Sequence, residues 1–152
     1  MKVEYINPFI SATFEILKMT ANFNPIKGKL TLKNEPVPSY GVSVLIGVVG
    51  EVKGQIIYSL SEKTAMGISS KMMMGMPIEE FDEMAKSAIS ELANMITGNA
   101  STQLSMQGLE VDISPPTLVT GTNVHITTNT MQTIVVPVET EEGIFEINIA
   151  LE

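Results

Sequence analysis

The sequence predicts an α+β domain, with long amphipathic helices set against largely antiparallel strands. Three observations carry that prediction. The elements run helix, strands, helices, strands along the chain. Two β-rich stretches, Val42 to Leu60 and Ile134 to Leu151, have nearly equal length, and each carries a turn near its middle. A third stretch, Ile78 to Gln107, repeats its apolar residues at the helical period. With 152 residues, 44% of them hydrophobic, the chain reads as one domain over 1–152 with enough apolar material for a core.

The first helix is expected from Asn7-Pro8. Asn is a favourable N-cap, and Pro at the first helical position lacks only an N–H that would be orphaned anyway. Ile6, Phe9, Ile10, Phe14 and Leu17 form its apolar stripe, and it fades before Asn24-Pro25. A short strand follows near Lys29 to Lys33, then a loop from Asn34 to Tyr40 that holds two prolines. Val42 to Val49 and Val52 to Leu60 read as an antiparallel hairpin turning at Gly50-Glu51. Ser61 to Thr64 caps a helix running to about Met74, which Gly75 ends and Pro77 keeps from continuing.

The long helix spans about Ile78 to Gln107, with Ile78, Phe81, Met84, Ala85, Ala88, Ile89, Leu92, Met95 and Ile96 on its apolar side. Val111 to Val119 is extended and holds Pro115-Pro116, and Val124 to Thr128 reads as another strand. Gln132 to Val138 and Gly143 to Leu151 form a second hairpin around Glu139 to Glu142. Each hairpin has an amphipathic helix upstream. That is what a helix-plus-strands unit used twice would leave, although two hairpins in an α+β domain can look alike without duplication.

Composition removes whole classes of function. The net charge is -8, from 17 acidic residues against 9 Lys plus Arg, and the lysines are scattered singly. Such a surface repels phosphate-coated partners, so neither nucleic acid nor an anionic membrane is expected. Cys is absent, which excludes disulfide scaffolds, thiolate metal sites and thiol nucleophiles together. A single His excludes mechanisms that need two imidazoles. The start, MKVEYINPFI, does not read as a secretory signal, and no run approaches the roughly 18 apolar residues of a membrane span. A cytoplasmic location is the expectation.

The long helix carries the one polar constellation of interest. At about 100° per residue, with Ser87 at zero, Glu91 falls near 40°, Asn94 near -20° and Gly98 near 20°. The apolar residues cover roughly 60° to 200° on the same wheel. Ser87, Glu91, Asn94 and Gly98 therefore form one stripe outside the apolar arc. Glu91 and Asn94, three apart, bring their Cβ atoms within about 5–6 Å. Asn is a poor residue for a helix interior, and Gly there costs about 1 kcal/mol relative to Ala, as if something must approach the backbone. A polar outer face is also what any solvated helix shows. His125, the Met72-Met73-Met74 run and the acidic Glu139, Glu141 and Glu142 are weaker candidates, read as structural, packing and solvated residues respectively. Asn99-Ala100-Ser101 matches a glycosylation sequon inside the predicted helix.

The segment SAISELANMITGNA, with Ser87, Glu91, Asn94 and Gly98 in place, resembles the active-site helix of the bacterial chemotaxis phosphatases, the CheC/CheX/FliY family. The opening INPF, the VKGQIIYSLS strand, the KMMMGM turn and the VDISPPTLVTG segment look like its CheX-like branch, so the resemblance covers nearly the whole chain. It implies a two-layer CheC-like fold with an internal pseudo-repeat. It also implies removal of the phosphoryl group from the phospho-aspartate of a CheY-like receiver domain. Glu91 matches the residue that pairs with a receiver lysine, and Asn94 the amide that orients the attacking water. Ser87 and Gly98 match the supporting positions of the motif. No cofactor is implied in this chain, because the receiver would supply its own lysine and Mg²⁺. A homodimer through sheet edges is implied as well.

In the first helix, Asn7, Ser11, Phe14 and Lys18 fall at the four motif positions. Phe14 cannot orient water as an amide does, so the resemblance implies one active helix and one degenerate copy. Ala93 departs from the glycine that many members carry before the Asn, which bears on how closely a partner docks. The alternatives are a dimeric adaptor that binds a phosphorylated receiver or a motor component without turnover, and a flagellar switch component, which would be expected to carry added motor-binding domains.

Overall fold

The computed structural model describes residues 2–128 and 132–152. Helix α1 (Val3–Ala21) is followed by strands β1 (Ile26–Lys27), β2 (Thr31–Lys33), β3 (Val37–Pro38), β4 (Gly41–Gly50) and β5 (Gly54–Ser61). Helices α2 (Glu62–Met72) and α3 (Glu83–Met106) come next. Strands β6 (Val111–Ile113), β7 (Thr117–Thr120), β8 (His125–Ile126), β9 (Thr133–Thr140) and β10 (Gly143–Leu151) complete the order.

Eight of these strands form one sheet among the described residues, in the order β1-β9-β10-β5-β4-β6, with β2 also on β9 and β7 also on β4. β3 and β8 pair separately. Every pairing is antiparallel. The two predicted hairpins are β4–β5 and β9–β10, and they meet in the middle of the sheet through β5 and β10.

The element order repeats. A helix followed by five strands occurs as α1 with β1 to β5, and again as α3 with β6 to β10. The halves interleave: β1 and β2 flank β9, while β6 and β7 flank β4. The duplicated unit left open by the hairpin pattern is therefore present in the topology, with α2 as the one unpaired addition.

One face of the sheet meets the helices. Val44, Ile46, Tyr58, Leu60, Val136, Phe145 and Ile147 bury against Phe9, Leu17, Ile89, Leu92 and Ile96, and α1 lies along α3. Burying side chains of this size contributes about 1.5–3 kcal/mol each before entropy is counted. The far face of the central strands is closed by the chain leaving β3. There Tyr40 N–H donates to Ser59 Oγ at 3.3 Å, Ser43 Oγ donates to Ser39 Oγ at 2.9 Å, and the Tyr40 hydroxyl donates to Glu146 Oε2 at 3.0 Å.

Several boundaries differ from the predicted ones. α1 starts at Val3 with Lys2 as its N-cap, so Asn7 is not a cap and Pro8 lies inside the helix. Burial of Ile6 on the apolar stripe extends the helix upstream, and Pro8 forfeits a single intrahelical bond near the start. α2 is capped by Ser61, whose side chain accepts from Thr64 N–H, as predicted. It ends through Met74 rather than Gly75 alone. Met74 takes the left-handed conformation (φ 60), and Gly75 N–H and Met74 N–H donate back to Ser70 and Lys71 carbonyls at 2.8 and 3.2 Å, a Schellman closure. The Asn34–Tyr40 loop contains β3, and the single strand predicted near Lys29 is divided into β1 and β2.

Candidate active site

Helix α3 begins five residues later than the Ile78 boundary predicted near Pro77. Its N-cap is Asp82, which accepts from Ala85 N–H at 2.9 Å, and Glu83 in the first turn suits the positive helix end. Ile78 and Phe81 lie before it. Its buried residues are Ala85, Ile89, Leu92, Ala93, Ile96, Thr97, Ala100 and Leu104. That arc is turned roughly 80° from the predicted one at about 100° per residue. Met84, assigned to the apolar side, is 59% exposed, while Thr97 is fully buried.

Thr97 explains the rotation. Its hydroxyl donates to the Ala93 carbonyl at 2.8 Å and shares a 2.7 Å hydrogen bond with the Tyr58 hydroxyl of β5. A polar residue thus sits in the core with its hydrogen bonds made, which costs far less than an unpaired one. Burial holds the Tyr58 phenol well above the usual tyrosine range, while its bond to Thr97 pulls the other way. Its ring also packs against Phe145, with centroids 5.6 Å apart. The helix is therefore pinned to the sheet one turn after Asn94.

This rotation leaves the predicted stripe on the outside. Ser87 and Glu91 are exposed, and Asn94 and Gly98 are half-buried. Among the described residues none of the Ser87, Glu91 and Asn94 side chains has a hydrogen-bond or ion-pair partner. A Cβ placed on Gly98 would meet nothing within 4 Å, so no contact inside the chain calls for glycine there. Ala93 is 1% exposed and faces the core, so its methyl is no part of the outer surface.

Ser87, Glu91 and Asn94 of the stripe, though not Gly98, line one wall of a groove of about 600 Å³. Lys86, Ser87, Ser90, Glu91 and Asn94 of α3 face Pro116, Leu118 and Thr120 of the β7 segment across it. Lys86 Nζ lies 3.3 Å from Glu83 Oε1 at the rim. Sequence reasoning missed the β7 wall and Ser90. The period-2 spacing of Pro116, Leu118 and Thr120 in a segment already read as extended could have placed them on one face.

The degenerate copy has a groove of its own. Asn7, Ser11, Phe14 and Lys18, the four motif positions in α1, line it together with Ile10, Glu15 and Lys27. It presents neither a carboxylate at the Glu91 position nor an amide at the Asn94 position. A further groove, between the ends of α1 and α2, includes Glu141, whose carboxylate accepts from Asn24 N–H at 3.2 Å. The acidic turn is thus bonded to the chain after α1 rather than merely solvated.

The remaining candidates lie apart from the stripe. His125 is exposed on β8, opposite Pro38. Met72 packs on the core, and Met74 is 98% exposed at the α2 end. Asn99 is helical, and its Oδ1 accepts from Gln103 Nε2 at 2.7 Å. Among the described residues no group of three or more His, Asp or Glu is placed to hold a metal ion, and no helix is long and apolar enough to cross a membrane.

Residues 42–139 match the family described as chemotaxis phosphatase CheX. The chain is 38% identical over 127 residues to the CheY-P phosphatase CheX of Thermotoga maritima, covering 83% of this chain and 81% of that protein. A solved CheC-like superfamily protein from Shewanella sp. PV-4 superposes with a TM-score of 0.91 at 36% identity, over 100% of this chain and 99% of that one. The CheX of a CheX–CheY–BeF3–Mg²⁺ complex from Borrelia burgdorferi superposes with a TM-score of 0.85 at 32% identity, over 99% of each chain. A matching family model, a relative 38% identical over most of the chain and a shared fold lead to one conclusion: the chain belongs to the CheX family of chemotaxis phosphatases.

Proposed function

We propose that the chain hydrolyses the aspartyl phosphate of a CheY-like receiver, with Asn94 orienting the attacking water and Glu91 pairing with a receiver lysine. The single observation behind this reading is the outward Glu91–Asn94 pair. It stands on a helix anchored to the core, and both side chains are without partners among the described residues. The crystallised Borrelia complex of CheX with CheY, BeF3 and Mg²⁺ supports the choice of partner.

The chemistry suits these residue types. Hydrolysis forms a bond from water oxygen to phosphorus and breaks the bond from phosphorus to the aspartate oxygen, so a free carboxylate and inorganic phosphate leave. The Asn94 carbonyl can accept from the water while its amide N–H donates to a phosphoryl oxygen. Asn does not titrate, so it positions the water and takes no proton. The gain is proximity and orientation rather than acid–base catalysis. Glu91 holds the receiver so that the amide enters its site. Gly98 lets the receiver approach the helix backbone, and Ser87 supports the same face.

The enzyme acts in the cytoplasm as a homodimer joined edge to edge. The exposed Ile26 and Leu32 make the β1–β2 edge the better seam, because the β6–β7 edge borders the groove. A sedimentation mass of one chain would refute the dimer.

The main test is a phosphate-release assay on a phosphorylated receiver. Asn94→Ala is expected to lose about 10²–10³-fold of the acceleration, by analogy with the loss of one preorganised hydrogen-bonding group, and to keep its fold. Glu91→Ala is expected to weaken docking. Unchanged acceleration in Asn94→Ala would end the proposed role of that residue, and binding of the receiver without acceleration by the unmodified protein would favour the adaptor.

A further inference from the structure

The two walls of the groove differ in kind. The α3 wall offers the Glu91 carboxylate, the Asn94 amide, the hydroxyls of Ser87 and Ser90, and at its rim Lys86 paired with Glu83. The β7 wall offers Pro116, Leu118 and Thr120, which carry no charge. β7 is also an edge strand: among the described residues it pairs with β4 alone.

This strand is held firmly. Ser114 N–H donates to the Gly47 carbonyl at 2.9 Å, and Gly47 N–H donates back to Ser114 Oγ at 2.7 Å. At the other end Gly121 N–H donates to the Gly41 carbonyl at 3.1 Å. Pro115 and Pro116 fix φ between these anchors. The Gly121–Gly41 bond also sets which backbone groups face β4. In an antiparallel ladder the bonded pairs alternate, so Thr117 and Val119 turn their N–H and C=O groups to β4, and Leu118 and Thr120 turn theirs outward. Leu118 packs on the core while lining the groove. The wall is thus rigid and apolar at its centre, with open hydrogen-bonding groups along its rim.

The helix stripe can recognise only what the proposed chemistry requires of every substrate, an acyl phosphate and a lysine. Glu91 and Asn94 therefore meet features that phosphorylated receivers share. Whatever fills the groove against α3 also touches β7, and there it meets shape and open backbone groups instead of chemistry common to all substrates. The degenerate half offers a contrast. Its groove, between α1 and β1, is bounded on the strand side by the charged Lys27. The uncharged wall accompanies the catalytic stripe.

We infer that the β7 wall, with Leu118 as its apolar anchor, is the specificity-determining half of the docking surface and selects among phosphorylated receiver domains. This rests on the phosphatase reading above.

The test uses the full chain and the receivers of its own organism, loaded with beryllofluoride for binding and with phosphate for turnover. Leu118→Lys places a charge at the centre of the wall, and Thr120→Arg does so at an exposed position where folding is little affected. Either variant is expected to raise KM and the Kd for the preferred loaded receiver at least tenfold. Each is expected to flatten the preference among receivers and to move kcat less than threefold. Variants that keep both KM and the preference overturn the inference, as do variants that lose kcat with KM unchanged. Because binding needs no turnover, the two readings fail separately. An unmodified chain that binds loaded receivers without hydrolysing the phosphorylated ones ends the phosphatase reading, and the wall is then judged on Kd alone. Binding to no loaded receiver overturns both.

Discussion

Gly98→Ala is expected to make the protein more stable and less active. Gly98 lies well inside the 24-residue helix α3, so alanine there gains up to about 1 kcal/mol in helix propensity. The new methyl meets no atom within 4 Å, so no packing strain offsets the gain. At the size of this chain 1 kcal/mol corresponds to a rise of roughly 2–4 °C in Tm. If the receiver reaches the helix backbone at Gly98, the same methyl intrudes on a close contact. Overpacking of that kind costs about 1–3 kcal/mol, or roughly 5- to 150-fold in affinity at about 1.4 kcal/mol per tenfold. A thermal melt reads the first effect, and titration with a beryllofluoride-loaded receiver reads the second. A stabilised variant that binds with unchanged affinity would remove Gly98 from the footprint. A destabilised variant would show that the space beside it is not free.

The other predictions concern the anchor of α3 and the matching groove on α1. Tyr58 holds its proton more tightly folded than unfolded. From about pH 10 upward the native state therefore binds more protons, and stability falls as pH rises, by at most about 1.4 kcal/mol per pH unit for one such group. Tyr58→Phe should remove that component from the alkaline unfolding curve and cost about 1 kcal/mol at neutral pH through the lost bond to Thr97; an alkaline slope identical in the two proteins would refute the assignment. In α1, Ser11→Glu, Phe14→Asn and Lys18→Gly together should rebuild the stripe on the second groove. When combined with Asn94→Ala they should restore part of the lost phosphate release, and if the rebuilt variant folds and shows no recovery, the two grooves are not equivalent.

The parts of the fold that the sequence exposes are those with strong periodicity or local chemistry. Both hairpins are visible in the β-rich runs, and Ser61 announces α2 through its capping side chain. The candidate stripe is legible because four residues at helical spacing need only one helix to bring them together. The errors share a cause in tertiary burial. Ile6 draws α1 past Pro8, and Thr97 is taken into the core by Tyr58, 39 residues away in sequence. A wheel that sorts residues by polarity alone places Thr97 outside and Met84 inside, and both assignments are reversed in the fold. The β7 wall escaped for a different reason. Its residues lie more than 20 positions from Asn94 and join it only through the pairing of β7 with β4. The acidic turn likewise reads as solvated until the fold brings Glu141 to Asn24.

The exchange of β1 and β2 for β6 and β7 between the halves has a consequence for inheritance. Each repeat completes its neighbour's sheet, so neither can be excised as a working unit, and a cut in one unravels the other. α1 carries Ser11 and Phe14 where α3 carries Glu91 and Asn94, but the segment cannot be discarded, because β1 and β2 complete the other half's side of the sheet. α1, packed along α3, is the counterweight that keeps its twin in place.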